Sequence, residues 1–96
     1  MESVNKKLEA FGRLLEIMDT LRVQCPWDRK QTFDSLRANT IEEVFELSDA
    51  VENKDFQSIK EELGDVLLHI VFYSKMGDEK GKFDIADVCN AISDKM

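Results

Sequence analysis

Hydrophobic residues recur along most of the chain at alternating three- and four-residue steps, the spacing that places side chains on one face of an α-helix. The first such stretch predicts an amphipathic helix over about residues 3–22. Its apolar stripe consists of Val4, Leu8, Phe11, Leu15 and Met18, widened by Leu14, Ile17 and Leu21. We expect this helix to pack through that stripe.

The helical pattern stops between residues 23 and 32, where the only proline and the only tryptophan of the chain stand next to each other. Pro26 disfavours helical backbone at Cys25, so the first helix must end there and a loop should follow. Two interpretations of Trp27 stay open. It plugs the end of a small core, or it belongs to a loop that closes over a base or sugar by stacking and hydrogen bonding.

Three more helices are predicted, which makes the chain an all-α, four-helix-type bundle. After a short helical turn over 33–37, the segment Thr40-Ile41-Glu42-Glu43 fits a capping box and should start the second main helix. Asp55 is a suitable N-cap for a third helix over about 56–80, and Asp84 for the last. The turn at 53–55 is short, so the second and third helices should form an antiparallel hairpin.

The third helix carries apolar residues on almost every side. They are Leu63, Val66, Leu67, Leu68, Ile70, Val71, Phe72, Tyr73 and Met76. A helix that is apolar all round must be covered all round, and four helices of this size hardly do so in one subunit. The sequence therefore predicts a homodimer or higher homo-oligomer that packs helices across a shared interface.

Length and charge narrow the class of protein. A chain of 96 residues is one domain, and its 20 acidic against 13 basic residues argue against a nucleic-acid-binding surface. The start lacks the apolar segment of a signal peptide, and the longest apolar run is too short to span a bilayer, so we expect a cytoplasmic protein without a membrane partner. Two cysteines and one histidine at these spacings do not make a zinc site, and free thiols are expected.

Two pairs of carboxylates carry the candidate chemistry. Glu43 with Glu46, and Glu62 with Asp65, are three residues apart and therefore neighbours on one helix face. Across the hairpin the four acids can form one cluster, whose mutual repulsion a hard divalent cation such as Mg²⁺ would relieve. The strongest single indication is Asp65, because a carboxylate within the most apolar helix is costly unless it is paired or bound to metal.

A magnesium site with open positions suits the attack of water on a phosphoanhydride. A spare carboxylate can then accept the proton, and Glu42 and Glu61 stand beside the pairs either as that base or as solvated surface groups. Glu43 is also open to two interpretations, since it can cap the second helix or bind the metal.

His69 follows Asp65 by one turn of the third helix. It can support the metal site or contact a ligand, or it can be a core or interface histidine with one satisfied hydrogen bond. Ferritin-like di-iron bundles need two Glu-x-x-His pairs, which this sequence lacks, so oxygen-activating iron chemistry is not expected.

Four segments, spread over nearly the whole chain, resemble the MazG-type nucleoside triphosphate pyrophosphohydrolases of the all-α NTP pyrophosphatase superfamily. They are Cys25-Pro26-Trp27-Asp28 with Gln31-Thr32, then Thr40-Ile41-Glu42-Glu43-x-x-Glu46, then Glu61-Glu62-Leu63-Gly64-Asp65, and Gly81-x-Phe83 before Ser93-Asp94-Lys95. The resemblance implies Mg²⁺-dependent hydrolysis of a nucleoside triphosphate to the monophosphate and pyrophosphate, with Mn²⁺ as a substitute ion. It also implies dimers or higher assemblies of helical bundles.

The resemblance also implies roles for particular residues. The metal ligands carry over onto Glu43, Glu46, Glu62 and Asp65, and the candidate catalytic carboxylates are Glu42, Glu43 and Glu46. Trp27, Lys30 and Lys95 are the candidate substrate-binding residues.

Where relatives continue into an Arg-Arg segment that would help hold phosphates, this chain has Lys95 and then ends, with its helical pattern still running. Residues 1–96 are therefore expected to be one MazG-like domain, the first of a tandem pair or a fragment of a longer protein. The alternative function, from another class, is a dimerisation and regulatory module with a vestigial nucleotide site.

Overall fold

The computed structural model describes residues 2–96, in which every regular element is an α-helix, as the sequence predicts. The five helices are α1 (Glu2–Gln24), α2 (Pro26–Lys30), α3 (Phe33–Glu52), α4 (Phe56–Glu79) and α5 (Ile85–Lys95). None of the helices in this part of the chain combines the length and the apolar character that crossing a membrane requires. The chain divides into two compact units, residues 1–31 and 32–96.

The first unit consists of α1 and α2, with a sharp break between them. Cys25 is extended, with φ −86° and ψ 119°, which confirms that Pro26 ends the first helix. The expectation of a loop after it is wrong, because Pro26 is the first residue of α2, a position that its fixed φ suits. Arg22 steadies this corner, since its Nη1 donates hydrogen bonds to the carbonyl oxygens of Asp28 at 2.6 Å and Gln31 at 3.0 Å.

The second unit begins with the N-terminus of α3, which lies earlier than predicted. Thr32 is the N-cap: its Oγ1 accepts from the Ser35 backbone N–H at 3.1 Å, and the Ser35 Oγ accepts from the Thr32 N–H at 2.7 Å. The predicted capping box at Thr40 is therefore wrong. Thr40 lies two turns inside α3, where its hydroxyl donates to the carbonyl oxygen of Leu36 at 3.0 Å, a bond that threonine readily makes within helices.

A tight turn joins α3 to α4 and makes the predicted hairpin. Asn53 caps the end of α3, and Lys54 adopts a left-handed φ of 56°. Asp55 is the N-cap of α4, as predicted, accepting from the Ser58 backbone N–H at 3.3 Å and from its hydroxyl at 2.9 Å. The hydrogen bonds from Ser58 lower the pKa of Asp55, because they favour the charged carboxylate.

Residues 71–77 of α4 are the most buried part of this unit. Val71, Phe72 and Met76 are nearly inaccessible, and Leu36 and Ala50 of α3 are buried as well. Beyond α4, Gly81 takes the left-handed φ of +68° that glycine favours, and Asp84 caps α5, as predicted. The stretch of α4 just before Val71 differs, because Leu63, Leu67, Leu68 and Ile70 remain exposed in the single chain.

Candidate metal centre

Three carboxylates from the α3–α4 hairpin converge at one point. Glu43 comes from α3, and Glu62 and Asp65 come from adjacent turns of α4. One oxygen of each lies within 4.8 Å of the corresponding oxygens of the other two. The antiparallel hairpin explains the meeting, because it brings the middle of α3 opposite the first half of α4. The structure thus brings together three of the four residues predicted to bind metal.

Two oxygens in this cluster are buried without any hydrogen-bond partner. They are Oε2 of Glu43 and Oε2 of Glu62, the only side-chain atoms in this condition among residues 2–96. A buried polar atom without a partner costs free energy, and a buried carboxylate costs more. Their position is explained if the site binds a group that supplies positive charge.

The surroundings of both glutamates disfavour the charged form. Burial raises the pKa of Glu43, and the negative charges of Asp65, Glu46 and Glu62 raise it further. Burial likewise raises the pKa of Glu62, with further contributions from Glu46, Asp65 and Glu61. A cation between them would reverse this effect, because a positive charge at short range favours carboxylates over carboxylic acids.

The other predicted acids lie around this cluster. Glu46 is exposed, and its carboxylate is close enough to raise the pKa of both Glu43 and Glu62. Asp65 is exposed in the single chain, so its place on the most apolar helix does not bury it; the two buried oxygens belong to Glu43 and Glu62, which are half-buried. Glu42 and Glu61 are exposed beside the cluster.

A hard divalent cation fits this set of donors. All donors are carboxylate oxygens, the ligands that Mg²⁺ and similar ions prefer, and two of these oxygens are buried without a hydrogen-bond partner. The alternative role of Glu43 as a helix cap is excluded, because α3 begins ten residues earlier at Phe33.

The three predicted substrate contacts lie on exposed surface. Trp27 is 54% exposed, so the interpretation that it plugs the core is wrong. Lys30 is exposed at the end of α2, and Lys95 is exposed at the end of α5. Contact of any of them with a nucleotide stays a prediction. Cys25 and Cys89 are free thiols, as predicted.

A hydrogen-bond network lies one turn from the acids, and the sequence did not reveal it. Thr40 Oγ1 is 2.6 Å from His69 Nδ1 and 2.6 Å from the Tyr73 hydroxyl. Phe33 stacks on Tyr73, with ring centroids 5.7 Å apart. The register of the hairpin could have indicated this network. Because Glu43 faces Glu62 and Asp65, the turn of α3 before Glu43 must face the turn of α4 after Asp65.

Burial lowers the pKa of His69, and the charge of Asp65 opposes this in part. Both effects follow from the position of His69, which is half-buried and one turn beyond Asp65 on α4.

The chain is similar to known proteins over most of its length. The sequence profile of the MazG nucleotide pyrophosphohydrolase domain matches residues 31–96. The nucleoside triphosphate pyrophosphohydrolase of Escherichia coli K12 is 48% identical over 92 residues, which are 93% of this chain and 35% of that protein. The nucleoside triphosphate pyrophosphohydrolase/pyrophosphatase MazG of Thermotoga maritima is 46% identical over 88 residues, which are 90% of this chain and 34% of that protein.

A solved structure agrees with these sequence relationships. The crystal structure of a MazG-related protein from Thermotoga maritima superposes with a TM-score of 0.76 at 26% sequence identity, covering 88% of this chain and 74% of that one. The chain spans about a third of the length of the curated relatives it matches. From the matching profile, the sequence identities and the shared all-α fold, this chain belongs to the MazG nucleotide pyrophosphohydrolase family.

Proposed function

We propose that this domain hydrolyses nucleoside triphosphates to the monophosphate and pyrophosphate, using Mg²⁺ held by Glu43, Glu46, Glu62 and Asp65. The observation that carries the proposal is the pair of buried, unpartnered carboxylate oxygens on Glu43 and Glu62, with an oxygen of Asp65 beside them. Family membership supports the reaction, since relatives 48% and 46% identical to this chain are named nucleoside triphosphate pyrophosphohydrolases.

The residues divide the work between binding the ion and moving a proton. Glu43, Glu62 and Asp65 offer converging oxygens, and the exposed Glu46 can turn its carboxylate toward the same ion. When bound, Mg²⁺ supplies positive charge against the phosphate oxygens and acidifies water. Water would then form a new P–O bond to one phosphorus of the α–β phosphoanhydride while the bond to its bridging oxygen breaks, so that the monophosphate and pyrophosphate separate, and a carboxylate outside the ligand set would accept the water's proton. Glu42 and Glu61 are the exposed candidates for that base.

The assembly that performs this reaction is proposed to be a homodimer or a higher homo-oligomer. Leu63, Leu67, Leu68 and Ile70 leave an apolar surface of α4 uncovered in the single chain, beside the acids of the site. A second copy covering this surface would bury it and exclude water from the adjoining carboxylates. Residues 1–96 are proposed to be one such domain of a longer, tandem protein.

Two measurements test the function. Isothermal titration with Mg²⁺ and a non-hydrolysable nucleoside triphosphate should show binding that disappears when the ion is withheld. Release of pyrophosphate from a panel of nucleoside triphosphates should fall about a hundredfold or more in E62Q, because that variant loses a metal ligand. E52Q is the matched control, since Glu52 is an exposed acid at the end of α3, and its activity should match the wild type.

Equal activity of E62Q and E52Q would overturn the metal site. Nucleotide binding that is absent with or without Mg²⁺ would instead favour the alternative, a dimerisation and regulatory module with a vestigial nucleotide site. Replacement of Mg²⁺ by Mn²⁺ in the same assay tests the expectation that the second ion substitutes for the first.

A further inference from the structure

His69, Thr40 and Tyr73 form a network in which the number of protons decides which atoms donate. Thr40 Oγ1 makes three short contacts: 3.0 Å to the Leu36 carbonyl oxygen, 2.6 Å to His69 Nδ1 and 2.6 Å to the Tyr73 hydroxyl. A threonine hydroxyl has one proton to donate and two lone pairs to accept with. A carbonyl oxygen can only accept, so the Thr40 proton must point toward Leu36 if that contact is a hydrogen bond.

The remaining two contacts then have only one solution. His69 Nδ1 and the Tyr73 hydroxyl both donate to Thr40, and all three contacts contain a proton. If Thr40 donated to His69 instead, its oxygen would face the Leu36 carbonyl oxygen at 3.0 Å with no proton between them. The complete set of hydrogen bonds therefore places the imidazole proton on Nδ1. Phe33 helps to hold this arrangement, because its ring stacks on Tyr73 at a 20° interplanar angle.

Fixing the proton on Nδ1 determines the chemistry of the other ring nitrogen. In a neutral imidazole one nitrogen donates and the other accepts, so Nε2 of His69 is an acceptor. Nε2 has no hydrogen-bond partner among residues 2–96 and is not one of their fully buried unpartnered atoms, so this half-buried side chain keeps an accessible ring nitrogen. His69 lies one turn after Asp65, on the same face of α4 as Glu62 and Asp65.

An acceptor at this position selects what can bind beside the acids. Phosphate oxygens are themselves acceptors, so they gain nothing from an unprotonated Nε2. We propose that His69 recognises a hydroxyl or N–H donor on the nucleoside part of the substrate, an inference that rests on the proposed function. It is then a specificity residue that Thr40 and Tyr73 hold in the required tautomer, and it does not bind the triphosphate.

The tautomer can be read directly, because His69 is the only histidine of the chain. Long-range ¹H–¹⁵N NMR of ¹⁵N-histidine-labelled protein at pH 8, without ligand, should show a protonated Nδ1 and an unprotonated Nε2. T40S keeps the hydroxyl and should keep this spectrum, while T40V removes it and should move the proton toward Nε2. A wild-type spectrum with the proton on Nε2 overturns the proposal, and it decides the matter even if T40V does not fold.

The role in recognition is tested by separating nucleoside from phosphate. With Mg²⁺ present, H69L should weaken binding of a non-hydrolysable nucleoside triphosphate about tenfold, the loss expected for one hydrogen bond, and leave inorganic tripolyphosphate within twofold. H69Q, which can place an amide oxygen near the position of Nε2, should recover part of the loss. An equal loss for both ligands, or no loss for either, overturns the proposal.

Two further arms complete the test. With a 2′,3′-dideoxy analogue, the effect of H69L disappears if the donor is a sugar hydroxyl and persists if it is an N–H of the base, and either result supports recognition of the nucleoside. A wild-type domain that binds neither the nucleotide nor tripolyphosphate contradicts the proposed function itself. The role of His69 can fail separately: its tautomer is measured on the protein without ligand, and its part in binding is judged by comparing H69L with the wild type.

Discussion

Glu43 and Glu62 hold buried oxygens where the fold alone gives them no partner. In the absence of an ion, burial and neighbouring acids raise the pKa of both side chains. The folded protein holds these protons more tightly than the unfolded chain, so stability falls as pH rises above the ordinary value of 4.5 and through the raised pKa.

The first prediction concerns Glu43. In EDTA at pH 7.5, E43Q should be more stable than the wild type, because the amide carries no charge and can donate a hydrogen bond to the neighbouring carboxylates. The advantage should shrink at pH 5, where the wild-type side chain is closer to its protonated form. Urea denaturation of both proteins at the two pH values measures the difference, and E52Q controls for the general loss of one negative charge.

The same pair of proteins should respond oppositely to Mg²⁺. At free Mg²⁺ of a hundred times its Kd, the wild type should gain about 2.7 kcal/mol of stability, and E43Q should gain far less. An E43Q protein that is less stable than the wild type in EDTA at pH 7.5 would contradict the view that this site costs stability until an ion fills it.

Spacing in the sequence located the acids but could not rank them by burial. The i,i+3 rule paired Glu62 with Asp65 correctly, and both reach the cluster. It could not show that Asp65 is exposed, since the apolar residues beside it on α4 are themselves uncovered in the single chain. The Thr40–His69 contact joins residues 29 apart, and its geometry depends on the register of the hairpin.

At the scale of the helices, capping decides where α3 begins. A hydroxyl residue followed three residues later by a side chain that can accept occurs both at Thr32 and at Thr40, and the sequence pattern favoured the second because it contains Glu43. The capping box at Thr32 is the one that starts α3, so the helix also includes the turn that carries Phe33 and Leu36. The short α2 was missed for a related reason, because Pro26 ends one helix and starts another.

The second prediction tests this cap. T32A should lower the free energy of unfolding by about 1 kcal/mol, because the Ser35 backbone N–H loses its acceptor. T32S keeps the hydroxyl and should stay within a few tenths of the wild type. Denaturant unfolding followed by circular dichroism measures both, and equal stability of T32A and T32S would show that α3 does not depend on this residue.

The third prediction concerns the contact between α4 and the segment before α5. A Cβ built on Gly77 would lie 2.6 Å from Cζ of Phe83, so G77A must displace the ring that covers this buried glycine. We expect a loss of about 1–3 kcal/mol, because the displaced ring outweighs the better helix propensity of alanine. Thermal or denaturant unfolding measures the change.

A double-mutant cycle separates the two effects. In an F83L background the ring is gone, and G77A should become neutral or slightly stabilising. G12A is the matched control, because Gly12 lies inside α1 with nothing within 4 Å of an added Cβ, and it should stabilise by about 0.5–1 kcal/mol. A G77A penalty that is unchanged by F83L would show that its cause is not the aromatic contact.

At the scale of the whole molecule, burial is distributed unevenly along α4. Residues 71–77 are largely buried within the chain, while Leu63 is 52% exposed and Ile70 is 42% exposed. The sequence predicted correctly that some apolar residues of this helix stay exposed, since a helix that is apolar on all sides has more apolar surface than the chain can cover. It could not show which of these apolar residues are covered, because that depends on how α3 and α5 lie along α4.

The last prediction follows from this surface. If a second copy covers it, the wild-type protein should have the mass of a dimer, or of a higher oligomer, by light scattering at micromolar concentration. Its Tm should also rise with protein concentration, because association stabilises only the folded state. L63E and I70E should each weaken association, since a buried unpaired carboxylate is costly. K60E changes the charge on the same helix at a position that is already polar and exposed, and it should associate like the wild type.

The variants can lose association in two ways, either alone or together with the fold. When dimer and fold are separable, L63E should become a helical monomer, and when they are coupled it should lose helix content as well. Either result agrees with a buried interface, and circular dichroism distinguishes them. A wild-type protein that is monomeric, with a Tm independent of concentration, would contradict the interface. Water would then have to be excluded from the carboxylates of Glu62 and Asp65 without a second copy.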